Sequence, residues 1–171
     1  MKIRKFLTAI LVSTFALVFI SCGKDEEEEV TYSAEKEQVL LQKYLDYLIG
    51  EDYDIDTTAN GVYYVVIEEG TGNIPQSGDK VSVSYNGLFI GGSVFDSSGN
   101  PDSYGYYTYT HRVTDMIEGW EEGIETIKEG GTSLLIVPSN LAYGEYGYYD
   151  IPPYTTLLFE IYVHDIASAE E

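Results

Sequence analysis

Residues 141–161, "LAYGEYGYYDIPPYTTLLFEI", run from a tyrosine- and glycine-rich loop, past Pro152 and Pro153, into a strand. The stretch contains no Ser, Cys, His or Lys, so it offers none of the usual nucleophiles or bases. Elsewhere no Ser-His-Asp set can be ordered, no Gly-x-Ser-x-Gly occurs, and no phosphate-cradling glycine loop precedes a lysine. What converges instead is apolar and aromatic. Tyr85, Phe95, Tyr107, Met116, Ile117, Trp120, Tyr143, Ile151 and Phe159 arrive from separate segments, several beside Gly or Pro at strand ends and in loops. Each alone reads as core. Together, in loop positions, they suit a pocket that binds an apolar group without covalent chemistry.

Composition narrows the partners. At 171 residues the chain has room for one ordinary domain with a real core and some extra segment. Nine basic against 29 acidic residues give a net charge of −20. Such a surface repels phosphate backbones, which excludes nucleic acid as a partner. His111 and His164 are the only histidines and lie far apart, so neither a zinc site nor any cofactor is expected. Asp52, Asp54 and Asp56 suggest a calcium loop, but Thr57 and Tyr63 stand where its glycine and glutamate belong.

The first 21 residues read as a leader. Lys2, Arg4 and Lys5 precede an uncharged apolar run from Phe6 to Ile20, suited to a signal peptide and short for a membrane span. Cys22, the sole cysteine, follows at once and matches the lipobox of bacterial lipoproteins, where it is acylated and becomes the new N-terminus. Cleavage there leaves six basic and 29 acidic residues, a net charge of −23. The acidic run "GKDEEEEV" is a solvated tether. It also resembles the surface-export signal of Bacteroidetes lipoproteins, which implies a lipid anchor in the outer membrane, with exposure at the cell surface.

The remaining elements must position the aromatic set. Residues 33–49 read as a helix capped by Ser33 and ended by Gly50. Its apolar face is expected at Val39, Leu40, Tyr44, Tyr47 and Leu48, broadened by Leu41 and Leu45, and suits docking on the following domain. A linker follows. "VYYVVIEEG", "KVSVSYNGLF", "TSLLIVP" and the last stretch from Leu157 read as strands, with Val81, Val83 and Tyr85 sharing one face. "GWEEGIETIKEGG" reads as one short helix, with Trp120, Ile124 and Ile127 at helical spacing and Gly130 as its end. Antiparallel strands around one helix, without βαβ alternation, make the class α+β.

Three stretches carry a family resemblance. "VSYNGLFIGGSVFDSS", "MIEGWEEGIETIKEGG" and "LAYGEYGYYDIPPYTTLLFEI" resemble, in order and spacing, the FKBP-type peptidyl-prolyl cis-trans isomerases. The resemblance runs from about Gly61 to Ile166. It implies five or six antiparallel strands wrapped around one short helix, here with an extra N-terminal helix. It implies proline-containing polypeptides as substrates and the family's macrolide inhibitors as ligands. Trp120 would floor the pocket, and Tyr85, Phe95, Tyr107, Met116, Ile117 and Phe159 would wall it. Tyr143 and the Ile117 N–H would hold a carbonyl, Asp96 would sit at the rim, and Tyr148 and Ile151 would lie on the overhanging loop. The division that follows is residues 1–21 leader, 22–32 tether, 33–58 helix and linker, 59–167 isomerase-like domain, and 168–171 acidic tail.

Here the segment between Asp96 and Tyr107 is longer than in compact family members, and "YYTYT" brings hydroxyls to a phenylalanine-rich strand. Two other functions remain open. One keeps the pocket as a slow binding surface. The other uses the tyrosines, Tyr104, Tyr106 and Tyr146 above all, to stack on glycans.

Overall fold

The computed structural model describes residues 31–98 and 106–168. The leader, Cys22, most of the acidic tether, Tyr104 and residues 169–171 lie outside the described residues.

Helix α1 (Ala34–Gly50) starts where Ser33 Oγ accepts the Lys36 N–H at 3.3 Å, with Glu35 and Glu37 in its first turn. Seven strands follow: β1 (Asp56–Thr57), β2 (Tyr63–Glu68), β3 (Lys80–Phe89), β4 (Val94–Ser97), β5 (Tyr107–Thr110), β6 (Thr132–Val137) and β7 (Leu157–Ala167). A second helix, α2 (Glu118–Ile124), lies between β5 and β6. Every pairing is antiparallel, in the order β1-β2-β6-β7-β3-β4. β5 also pairs with β3. The strand number exceeds five or six because β1 adds a two-residue edge and the partner of β3 is split. β5 matches its first half and β4 its second.

Both faces of the sheet are covered. On one, α2 sets Trp120, Ile124 and the following Ile127 among Val81, Val83, Leu135, Phe159 and Ile161. That contact is close at two glycines. A Cβ on Gly119 would lie 2.2 Å from Val137 Cγ1, and one on Gly123 would lie 2.3 Å from Leu135 Cδ1. On the other face, α1 lays Leu48 on Val65, Ile136 and Leu158. Burial on both sides explains why β6 is a continuous apolar run rather than an alternating one.

Two expectations are corrected. The packed stripe of α1 is Leu41, Tyr44, Leu45 and Leu48, while Val39, Leu40 and Tyr47 are exposed. The buried four follow i, i+3, i+4, i+7, and the other three fall outside that stripe. Helix α2 ends at Ile124 instead of continuing to Gly130. The Thr126 hydroxyl donates to the Gly123 carbonyl at 2.7 Å, taking an acceptor a longer helix would use.

Candidate active site

The aromatic set meets around a cavity of about 520 Å³. Trp120, in the first turn of α2, is 1% exposed. Its indole meets Tyr85 edge-on at 5.0 Å and Phe159 at 5.3 Å and 88°. Phe95 meets Phe159 edge-on at 5.7 Å. Offset and edge contacts of this kind lock aromatic rings in one arrangement. β3 and β4 supply Tyr85, Phe95 and Asp96, and β7 supplies Phe159. The segment before α2 supplies Met116 and Ile117, and the loop after β6 supplies Tyr143 and Tyr148.

Tyr107, expected in the wall, stands behind it, and Ile151, expected on the overhanging loop, lies there with its side chain packed to the core. Tyr107 is not among the cavity's lining side chains. Its ring meets Tyr85 edge-on at 6.0 Å and its hydroxyl lies 3.5 Å from Met116 Sδ, so it supports two residues that do line it. Ile151 is 8% exposed and packs into the core. Its backbone exchanges two hydrogen bonds with Tyr148, at 2.8 and 2.9 Å, closing the turn that presents Tyr148. Conversely, Asp115, Glu118 and Ala142 line the cavity without having been singled out. Each adjoins a residue that was, and that adjacency was the available signal.

The polar groups are ordered. The Tyr85 hydroxyl donates to Asp96 Oδ2 at 2.7 Å, and the Ser97 N–H donates to Asp96 Oδ1 at 2.8 Å. Burial, then the hydrogen bond to Asp96, pushes the Tyr85 hydroxyl well above its usual pKa. Tyr143 is also pushed up, by burial first and then by neighbouring Tyr148 and Asp96. Its ring stacks on Tyr148 at 5.0 Å and 10°. Both tyrosines therefore stay protonated donors at neutral pH. Ile117 caps α2, its carbonyl accepting from Trp120 and Glu121. Its own N–H precedes the first turn and is not used by the helix ladder. Among the described residues the lining includes Asp96, Asp115 and Glu118 but no Lys, Arg, His, Ser or Cys.

Of the tyrosines considered for glycan stacking, Tyr106 and Tyr146 are described. Tyr106 lies against His164, with ring centroids 3.9 Å apart, while Tyr146 is 85% exposed on the Tyr143 loop. Among the described residues no ring contact joins them.

The arrangement can seat a small apolar ring on an indole floor beside the Tyr143 hydroxyl. The family model of the FKBP-type peptidyl-prolyl cis-trans isomerases matches residues 72–164, which include all the described lining residues. The chain is similar to the FKBP-type peptidyl-prolyl cis-trans isomerase FkpA of Escherichia coli, 39% identical over 67% of this chain and 41% of that protein. It is 30% identical to a probable FKBP-type peptidyl-prolyl cis-trans isomerase of Haemophilus influenzae, over 99% of this chain and 66% of the relative. Its fold is similar to the crystal structure of E. coli FkpA, with a TM-score of 0.65 and 32% identity over 80% of this chain and 63% of that one. The prolyl isomerase of Pseudomonas syringae gives 0.62 and 27%, over 77% and 96%. The chain thus spans about two fifths of the length of the E. coli relative. On the family match, the shared fold and the site geometry, this chain belongs to the FKBP-type peptidyl-prolyl cis-trans isomerase family.

Proposed function

We propose that the chain is a peptidyl-prolyl cis-trans isomerase that assists folding of extracytoplasmic proteins. One observation carries this reading: a Trp120-floored, aromatic-walled cavity that Tyr143 lines and that, among the described residues, has no Ser, Cys, His or Lys in its lining. Rotation about an X–Pro bond breaks no bond and needs none. It crosses a barrier of about 18–20 kcal/mol because twisting removes amide resonance. The twisted amide separates less charge between oxygen and nitrogen than the planar one. An aromatic, water-excluding pocket therefore disfavours the planar ground state more than the transition state.

The roles follow from placement. The pyrrolidine ring lies on Trp120, between Tyr85, Phe95 and Phe159. Tyr143 and the Ile117 N–H hold the carbonyl on either side of the turning bond. Asp96 fixes Tyr85 and, with it, the cavity's mouth. Substrates are proline-containing segments of incompletely folded proteins, and macrolides that mimic them occupy the same cavity.

The sequence outside the described residues supports an extracytoplasmic setting: the lipobox-like Cys22 is the site at which a lipid would anchor the chain to the outer membrane. Loss of lipid labelling in Cys22→Ser tests the anchor. Catalysed isomerisation of a short X–Pro peptide by the full chain tests the activity. Peptide binding with no rate above background leaves the site as a slow binding surface instead.

A further inference from the structure

Helix α1 does more than cover the sheet. Glu37 lies one turn before Leu41, at the head of the stripe that docks. Its carboxylate reaches a segment 102 residues away in sequence. Glu37 Oε1 accepts the Ser139 N–H at 2.6 Å and the Thr156 hydroxyl at 2.8 Å, and Oε2 accepts the Ser139 hydroxyl at 2.5 Å. Three donors on one carboxylate form a charge-assisted clamp.

With α1 docked, its partners are shielded from water. Ser139 is 5% exposed and Thr156 is 3% exposed. A buried hydroxyl without an acceptor is costly, so the isomerase domain buries two hydroxyls whose acceptor comes from α1.

The clamp leads to the site. Ser139 opens the short 3₁₀ turn Ser139–Leu141 after β6. Its carbonyl accepts the Ala142 N–H at 2.9 Å and the Gly144 N–H at 2.8 Å. Those two amides flank Tyr143. Thr156, the other partner, precedes β7, which carries Phe159. The Gly144 carbonyl in turn accepts the Tyr154 N–H at 2.8 Å, tying the two arms of the loop together. Fixing Ser139 thus fixes the backbone on both sides of the tyrosine that lines the cavity.

We infer that Glu37 is a positioning residue: helix α1, through Glu37 and Ser139, sets where the Tyr143 hydroxyl stands in the cavity. This rests on the isomerase reading of the site. A donor displaced by about 1 Å loses much of its effect on a bound group, so release of the clamp acts on turnover through Tyr143.

The test is a double-mutant cycle on the full chain in mild detergent, read as kcat/KM on an X–Pro peptide. Glu37→Ala is expected to lower kcat/KM about tenfold in the parent and under about twofold in a Tyr143→Phe background. Glu37→Gln, which keeps one acceptor oxygen for the Ser139 N–H, recovers part of the loss. Leu45→Ala weakens α1 packing and keeps the Glu37 carboxylate, so it is expected to lower the melting temperature with a smaller loss of kcat/KM than Glu37→Ala. If Glu37→Ala does not fold, Ser139→Ala and Thr156→Val remove single side-chain bonds and are carried through the same cycle with the same expectation. Equal losses with and without the Tyr143 hydroxyl overturn the inference while leaving the isomerase reading intact. A parent chain with no turnover overturns both.

Discussion

The Tyr85 hydroxyl donates to Asp96 Oδ2 at 2.7 Å, joining a wall of the cavity to its rim. Tyr85 is half-buried against Trp120, whereas Asp96 is exposed. The bond lets an exposed carboxylate, itself held by the Ser97 N–H, fix a wall residue. Asp96→Ala strands a half-buried hydroxyl and is expected to cost about 1 kcal/mol in denaturant unfolding. Tyr85→Phe with Asp96→Ala should cost less than the two single changes added, since both remove the same bond. Additive costs would show that the pair does not act as a unit.

Trp120 is the only tryptophan in the chain and is almost wholly buried at the cavity floor. Its fluorescence is therefore expected to change on titration with an X–Pro peptide and to stay constant with the matched X–Ala peptide. Trp120→Ala empties a site in the main core and is expected to cost about 3–5 kcal/mol of stability. Trp120→Phe keeps an aromatic floor, should fold, and should lose kcat/KM. Full activity in a folded Trp120→Phe chain would remove the indole from the mechanism.

Much of this was legible in the sequence, and the omissions share a cause. The alternation of Val81, Val83 and Tyr85 is local, so β3 could be placed from the chain alone, and its bounds match. The lining residues came from their types in loop and strand-end positions and from the motifs that group them. Failures arose where the deciding contact is remote. The packed stripe of α1 depends on which face meets Val65, Ile136 and Leu158. Glu37 looks like any first-turn glutamate until Ser139 and Thr156 are brought beside it. Helical spacing carried Trp120, Ile124 and Ile127 into one helix. The Thr126 hydroxyl stops that helix at Ile124, yet Ile127 is still only 2% exposed.

The pH response follows from the tyrosines. Burial raises the hydroxyl pKa of Tyr85, Tyr109 and Tyr143 above the usual value of 10.0. The folded chain holds these protons more tightly than the unfolded chain does. Their contribution is whole below the unfolded value and is lost as pH rises through the folded values. Melting temperature should therefore fall above about pH 10, and kcat/KM should show no Tyr143-dependent loss between about pH 7 and 9.5. A fall in that window present in the parent and absent in Tyr143→Phe would contradict the assignment.

The cavity rim carries Asp96, Asp115 and Glu118 and no basic side chain. On a chain of net charge −20, that rim favours segments with a cation near the proline. Lys-Pro peptides are expected to be turned over at least about threefold faster than Glu-Pro peptides at low salt, with the gap closing near 1 M salt. Asp115→Asn with Glu118→Gln should shrink the gap. Equal rates for both peptides at low salt would show that the rim does not select charge.

The central claim is tested most directly by the rate of cis-to-trans isomerisation of a short X–Pro peptide, measured with the full chain beside Asp96→Ala combined with Tyr143→Phe. Catalysis well above the uncatalysed rate, reduced at least about tenfold in the folded double variant, is the predicted result. A parent chain that is folded and binds the peptide, yet leaves its isomerisation at the uncatalysed rate, would contradict the account and leave the Trp120 cavity as a binding site alone.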